Sequence, residues 1–233
     1  MATWTVWLPA AALGMLALSV PAFWPFYLAR PLDADRYTHA HALLGTLRLL
    51  SLMVQPWLIR GRRLGLHRRL GWGGAVLGLA FVISSVLLTH HRVSRLDAET
   101  FARDGAGFYL PLAMAALFAS ALLLAVRRRR VMPLHARYMA CTLLALVDPI
   151  VARLLVASGL PLPVAELYQA PAFLIILTVL VAMARTLPER SPGRREFVGF
   201  ALVVTAGLVF HFAASHVVPW VWWMHWFRSL PLT

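Results

Sequence analysis

The chain has 233 residues, 61% of them hydrophobic and only 13% charged, with a mean hydropathy of +0.73; a soluble domain carries roughly 25% charged residues. That composition excludes a water-soluble domain and predicts one integral membrane domain over residues 1–233. The net charge of +13 does not point to nucleic acid, because the arginines cluster at the ends of apolar runs, where anionic lipid headgroups are their ordinary partners.

A hydrocarbon core of about 30 Å takes about 20 apolar residues to cross. Backbone groups in lipid must be paired within the segment, so each span is expected to be a helix. Seven spans are predicted, over 5–28, 39–59, 71–90, 107–126, 135–157, 164–184 and 197–218, giving an all-α seven-transmembrane helix bundle. No basic residue precedes the first span, which is therefore expected to be retained rather than cleaved as a signal. Five arginines occupy 60–69, "RRRR" occupies 127–130 with Arg137 beyond it, and four more occupy 185–195. These are alternate connections, so the positive-inside rule places the N-terminus in the cytoplasm and the C-terminus outside.

The second span, "HAHALLGTLRLLSLMVQ", carries His39, His41, Arg48 and Gln55. His41, Arg48 and Gln55 are seven apart and share one helix face with Gly45 and Leu52, which must look into the bundle. At about 1.5 Å per residue, Arg48 lies about 14 Å below the outer surface, near the midplane. Along the fifth span Asp148 lies about 20 Å above the inner surface, beside Pro149 and on the face of Cys141 and Ala145. Ionisable groups at that depth mark a functional interior by default. Arg48 and Asp148 are the candidate catalytic pair; the alternative is a buried ion pair that only fixes helix register.

The histidines fall at two levels. His39, His41, His90, His91 and His216 lie at the outer ends of spans two, three and seven, with His211 about a turn deeper. Neutral imidazole suits zinc, copper, iron and haem iron, and ligands from several helices at one level can converge. These six are the candidate metal ligands. His67 and His135 lie at the inner ends of spans three and five among arginines. They are candidate cofactor ligands for one haem across the two hairpins, or else anchors for lipid phosphate or helix caps. Gly74 and Gly78 form a close-packing face, and "PWVWWMHWF" at 219–227 reads as an outer aromatic belt.

Other chemistries are excluded by what is missing. Cys141 is the sole cysteine, so there is no internal disulfide, no c-type haem attachment and no thiolate zinc cluster. Lysine is absent, so a retinal Schiff base cannot form.

"RRLGLHRRLG" at 62–71 and "RRVMPLHARYM" at 129–139 each place an arginine pair, Leu-His and further arginine at the start of a span. This predicts a parallel duplication of a two-helix hairpin, spans 2–3 and 4–5. With "QPWL" before the first motif and Arg153 after the second, residues 39–157 resemble bacterial multi-pass membrane proteins of unknown function, and "LHRRLG" resembles histidine-bearing helix ends of transmembrane b-type cytochromes. The first resemblance implies the bacterial inner membrane. The second implies haem b.

The function expected is therefore haem or metal binding through histidines near the extracytoplasmic face, in electron transfer or oxidoreduction, with a redox partner or small-molecule substrate besides the lipid bilayer. Two alternatives stand beside it. One is a metal-dependent membrane hydrolase in which zinc held by His and Asp148 activates water. The other is a non-enzymatic carrier or accessory protein whose polar path is lined by Arg48, Gln55 and Asp148.

Overall fold

The computed structural model of the chain describes residues 4–161 and 168–233. Among them every regular element is helical and no strand occurs. The principal helices are α1 (Trp4–Phe23), α2 (Arg36–Arg60), α3 (Leu64–Ser94), α4 (Ala98–Asp104), α5 (Tyr109–Arg127), α6 (Met132–Leu144), α7 (Val147–Ala157), α8 (Ala170–Arg185), α9 (Pro192–His211) and α10 (Val218–Ser229).

Five segments are long and apolar enough to cross a membrane: Trp7–Leu28, Arg36–Arg60, Leu64–Ser94, Ala98–Arg127 and Met132–Ala157. They correspond to the first five predicted spans, and they point to a lipid bilayer around the protein. Much of their apolar surface faces outward, as with Trp57, Val76 and Leu123, each more than 60% exposed, as a hydrocarbon surrounding accommodates. The sixth predicted span is represented by the shorter apolar helix α8, and its predicted start at 164–167 lies outside the described residues. The seventh corresponds to α9, whose first turns hold Arg194, Arg195 and Glu196.

The helices form a closed ring. α1 packs on α2, α2 on α3, α3 on α5, α5 on α9, α9 on α8, α8 on α7, and α7 back on α1. α6 stands inside it, touching α1, α5, α7 and α8. Its small and apolar residues Ala140, Cys141 and Leu144 are buried, with Tyr138 and Thr142 fully so.

Local chemistry explains where the elements begin and end. Asp35 caps α2 by accepting hydrogen bonds from the backbone N–H groups of Tyr37 (2.8 Å) and Thr38 (3.0 Å). Asp97 caps α4 through the N–H of Thr100 (2.8 Å). Pro149 has no N–H to give to the carbonyl of Ala145, and the helix accordingly breaks at Ala145–Leu146, separating α6 from α7. The aromatic C-terminal stretch forms α10, which packs on the end of α3. Met224 and Phe227 are buried against Val93 and Phe101, while Trp222 and Trp226 face out.

Candidate functional site

The two repeated motifs produce the same local structure twice. His67 is the fourth residue of α3 and His135 the fourth of α6. Each donates its backbone N–H to the carbonyl of the residue just before its helix, Arg63 at 2.9 Å and Val131 at 3.0 Å. The two side chains lie within electrostatic reach of one another at the arginine-rich end of the bundle, with Arg68 also near His67. Arg129, in the connection before α6, lies over Trp72 of α3, its guanidinium carbon 5.7 Å from the ring centre, which ties that connection to α3.

His135 is oriented by a hydrogen bond from Nδ1 to the carbonyl of Ala125 (2.8 Å). A carbonyl only accepts, so Nδ1 carries the proton and Nε2 carries the lone pair. An imidazole whose second nitrogen is held this way is oriented as metal-ligating histidines are.

The rest of the second motif fastens α6 to its neighbours. Arg137 donates to the carbonyls of Pro133 (2.8 Å) and Met183 (3.2 Å) and to Thr186 Oγ1 (2.7 Å). The hydroxyl of Tyr138 donates to Glu196 Oε1 (3.2 Å), which also accepts from Arg128 Nε (2.9 Å). The carboxylate beside Arg128 holds the guanidinium proton more tightly than in water. Glu196 thus joins the ends of α5, α6 and α9. Sequence reasoning did not single out Glu196 or Tyr138; the available signal was an acidic residue directly after two arginines at the start of an apolar run.

The histidines expected at the outer ends of the spans are held by separate neighbours. His39 Nδ1 meets the Tyr27 hydroxyl at 2.9 Å. His41 stacks on Phe81 at 4.6 Å with Nδ1 3.1 Å from Ser84 Oγ. His90 is buried, its Nδ1 2.7 Å from Thr233 Oγ1, and its buried Nε2 has no hydrogen-bond partner among the described residues. His91 Nε2 lies 3.8 Å from Asp35 Oδ1, its ring against Tyr37. Hydrogen bonds from the backbone and hydroxyl of Thr38 and the backbone of Tyr37 outweigh the burial that would raise Asp35, and hold its carboxyl below the usual range. His211, at the end of α9, packs against Phe173 and Phe212, and His216 is exposed in the turn beyond. No group of three or more His, Cys, Asp or Glu placed to hold a metal occurs among the described residues.

The interior charges correct one expectation. Arg48 and Asp148 are both buried, at 1% and 7% exposure, but they form no ion pair. Arg48 Nη2 donates to Thr142 Oγ1 (3.3 Å) and approaches Met139 Sδ (3.8 Å), Nη1 reaches the carbonyl of Gly74 (3.5 Å), and the guanidinium lies 5.6 Å from the centre of the Phe118 ring. Arg48 Nε and Asp148 Oδ1 have no hydrogen-bond partner among the described residues. The expectation failed because it extended one helix through the break at 145–146. Asp148 belongs to α7, whose rotation is not set by Cys141. The cation within electrostatic reach of Asp148 is Arg153, on its own helix, which donates to the Pro149 carbonyl (2.9 Å) and covers Phe23.

No family model, curated protein or solved structure matches the chain.

Proposed function

We propose that the protein is a seven-span membrane protein that binds haem b, or failing that a transition metal, between His67 and His135 and serves in electron transfer. The supporting observation is the His135 ring, fixed by the Ala125 carbonyl with its Nε2 lone pair available and within electrostatic reach of His67. Two imidazoles from two helices are a donor set that fits haem iron. Haem held by such a pair supplies one-electron oxidation and reduction. The chain would supply the rest: the Ala125 carbonyl sets the tautomer of His135, Arg129 over Trp72 links the connection before α6 to α3, and Arg68, beside His67, would offer positive charge to a carboxylate of the group.

The equivalent positions of His67 and His135 favour a duplicated hairpin, α2–α3 with α5–α6. The arginine clusters favour a cytoplasmic N-terminus and inner-membrane residence. A reporter after Thr233 should then be extracytoplasmic and one within 127–130 cytoplasmic; the reverse would invert the orientation.

The absorption spectrum and metal content of the purified protein test the function. A Soret band that shifts on reduction, lost in His67→Ala and His135→Ala but kept in His41→Ala and His90→Ala, is the expected result. Loss only in the outer variants would move the site to the extracytoplasmic face. Stoichiometric colourless zinc would favour hydrolysis, and the absence of haem and metal would favour a carrier.

A further inference from the structure

A second candidate site lies between α8 and α9. Between α8 and α9 runs an open cleft of about 270 Å³, walled by apolar residues including Val181 and Ala184 of α8 and Val198 and Ala201 of α9. The small side chains of Ala184 and Ala201 leave the room. Thr205 spends its hydroxyl on the carbonyl of Ala201 (2.8 Å), so it presents little polarity to the cleft. The cleft opens sideways between exposed Val181 and Leu202, at 49% and 64% exposure, toward the surrounding hydrocarbon.

Its arginine-rich end is formed by Arg185, in the last turn of α8, and Arg194, in the first turn of α9. Arg185 makes no ion pair among the described residues, and Arg194 meets only Glu189, at 3.5 Å, a carboxylate that is 89% exposed and therefore well screened by water. An apolar channel in the bilayer that ends in two cations at headgroup level matches one ligand class: a lipid with a hydrocarbon tail and an anionic phosphate. A second copy of the chain fits poorly, because a two-fold contact across the cleft would bring two such arginine pairs together at one depth. A neutral apolar ligand would leave Arg185 without an ion-pair partner and Arg194 with only the exposed Glu189.

We propose that the α8–α9 cleft is a specific site for one anionic phospholipid of the arginine-rich leaflet, its phosphate held by Arg185 and Arg194 and one acyl chain lying against Ala184 and Ala201. The cleft shares no residue with the His67–His135 site and does not depend on it.

Native mass spectrometry of the full chain in detergent, titrated with phosphatidylglycerol, phosphatidylcholine or inorganic phosphate, tests the assignment. One phosphatidylglycerol should be retained per chain in preference to phosphatidylcholine, and inorganic phosphate should not displace it. Arg185→Gln with Arg194→Gln should weaken retention about tenfold or more, while Arg62→Gln with Arg63→Gln should not. Ala201→Leu should lower retention by filling the channel, with helicity checked by circular dichroism. The surface arginine pair keeps the test decisive if the Ala201 variant does not fold. Equal retention of phosphatidylcholine, displacement by phosphate alone, equal loss in the Arg62 and Arg63 control, or dimerisation broken by Ala201→Leu in place of lipid binding would each overturn the proposal.

Discussion

Arg48→Met should be neutral or stabilising, although Arg48 is among the most buried side chains in the protein. Removing a guanidinium from water costs several kcal/mol unless an opposite charge and full hydrogen bonding offset it. Arg48 has no carboxylate within 4 Å. Of its hydrogen bonds, that to Thr142 is 3.3 Å long and that to Gly74 sits at 3.5 Å, while Met139 offers a weak sulfur acceptor at 3.8 Å. Contact with Phe118 at 5.6 Å is at the far edge of cation–π range and contributes about 1 kcal/mol. The unpartnered Nε counts against the native residue by about 1–3 kcal/mol. A methionine of similar length keeps the packing against Gly74 and Thr142 and removes the buried charge, so a change between about 0 and +2 kcal/mol is expected.

The same geometry fixes what the Arg48→Met and Asp148→Asn double-mutant cycle should give. Residues that share no partner add to within about 0.5 kcal/mol. Unfolding of the four proteins in one detergent, by heat or denaturant, measures both quantities. Destabilisation of more than about 3 kcal/mol in Arg48→Met, or a coupling above about 1 kcal/mol, would refute the reasoning and restore the ion pair.

Other outcomes follow from packing, capping and surface charge. A Cβ at Gly78 would stand 2.7 Å from Leu122 Cδ2 and 3.4 Å from Phe118, whereas one at Gly73 meets nothing within 4 Å. Gly78→Ala should therefore lose about 1 kcal/mol and Gly73→Ala should gain up to about 1 kcal/mol from helix propensity, both read from melting temperatures. Asp35→Ala should cost about 1 kcal/mol through loss of the α2 cap. Because the folded Asp35 carboxyl titrates below its ordinary value of 3.8, its contribution is present above pH about 3.8 and fades as pH falls through the lower folded value. The melting-temperature gap between wild type and Asp35→Asn should narrow in that acid range. Glu196→Gln should lose about 1 kcal/mol, most of it at low salt, since the pair with Arg128 is partly exposed and screened.

The extent of the long apolar helices was legible in the sequence, because about 20 consecutive apolar residues mark a helix of membrane-spanning length. The spans at 39–59 and 135–157 lie within Arg36–Arg60 and Met132–Ala157, the structure extending each by three residues at its start. Pro149 foretold a break, though not its consequence. Rotation about the helix axis was not legible past that break, and so Asp148 was assigned to the face of Cys141 and expected opposite Arg48.

The repeated motif transferred better than any single residue, for a physical reason. "LHRRLG" and "LHARYM" each carry a helix start, and a helix start fixes the axial position of the histidine and its backbone hydrogen bond together. The outer histidines carried no such local geometry. Their shared level left open which neighbour each would meet, and Tyr27, Ser84, Thr233 and Asp35 each meet a different one. A site is therefore better sought where two helices begin alike and a contact such as Arg129 over Trp72 links α3 to the connection before α6, than where titratable residues merely share a predicted depth.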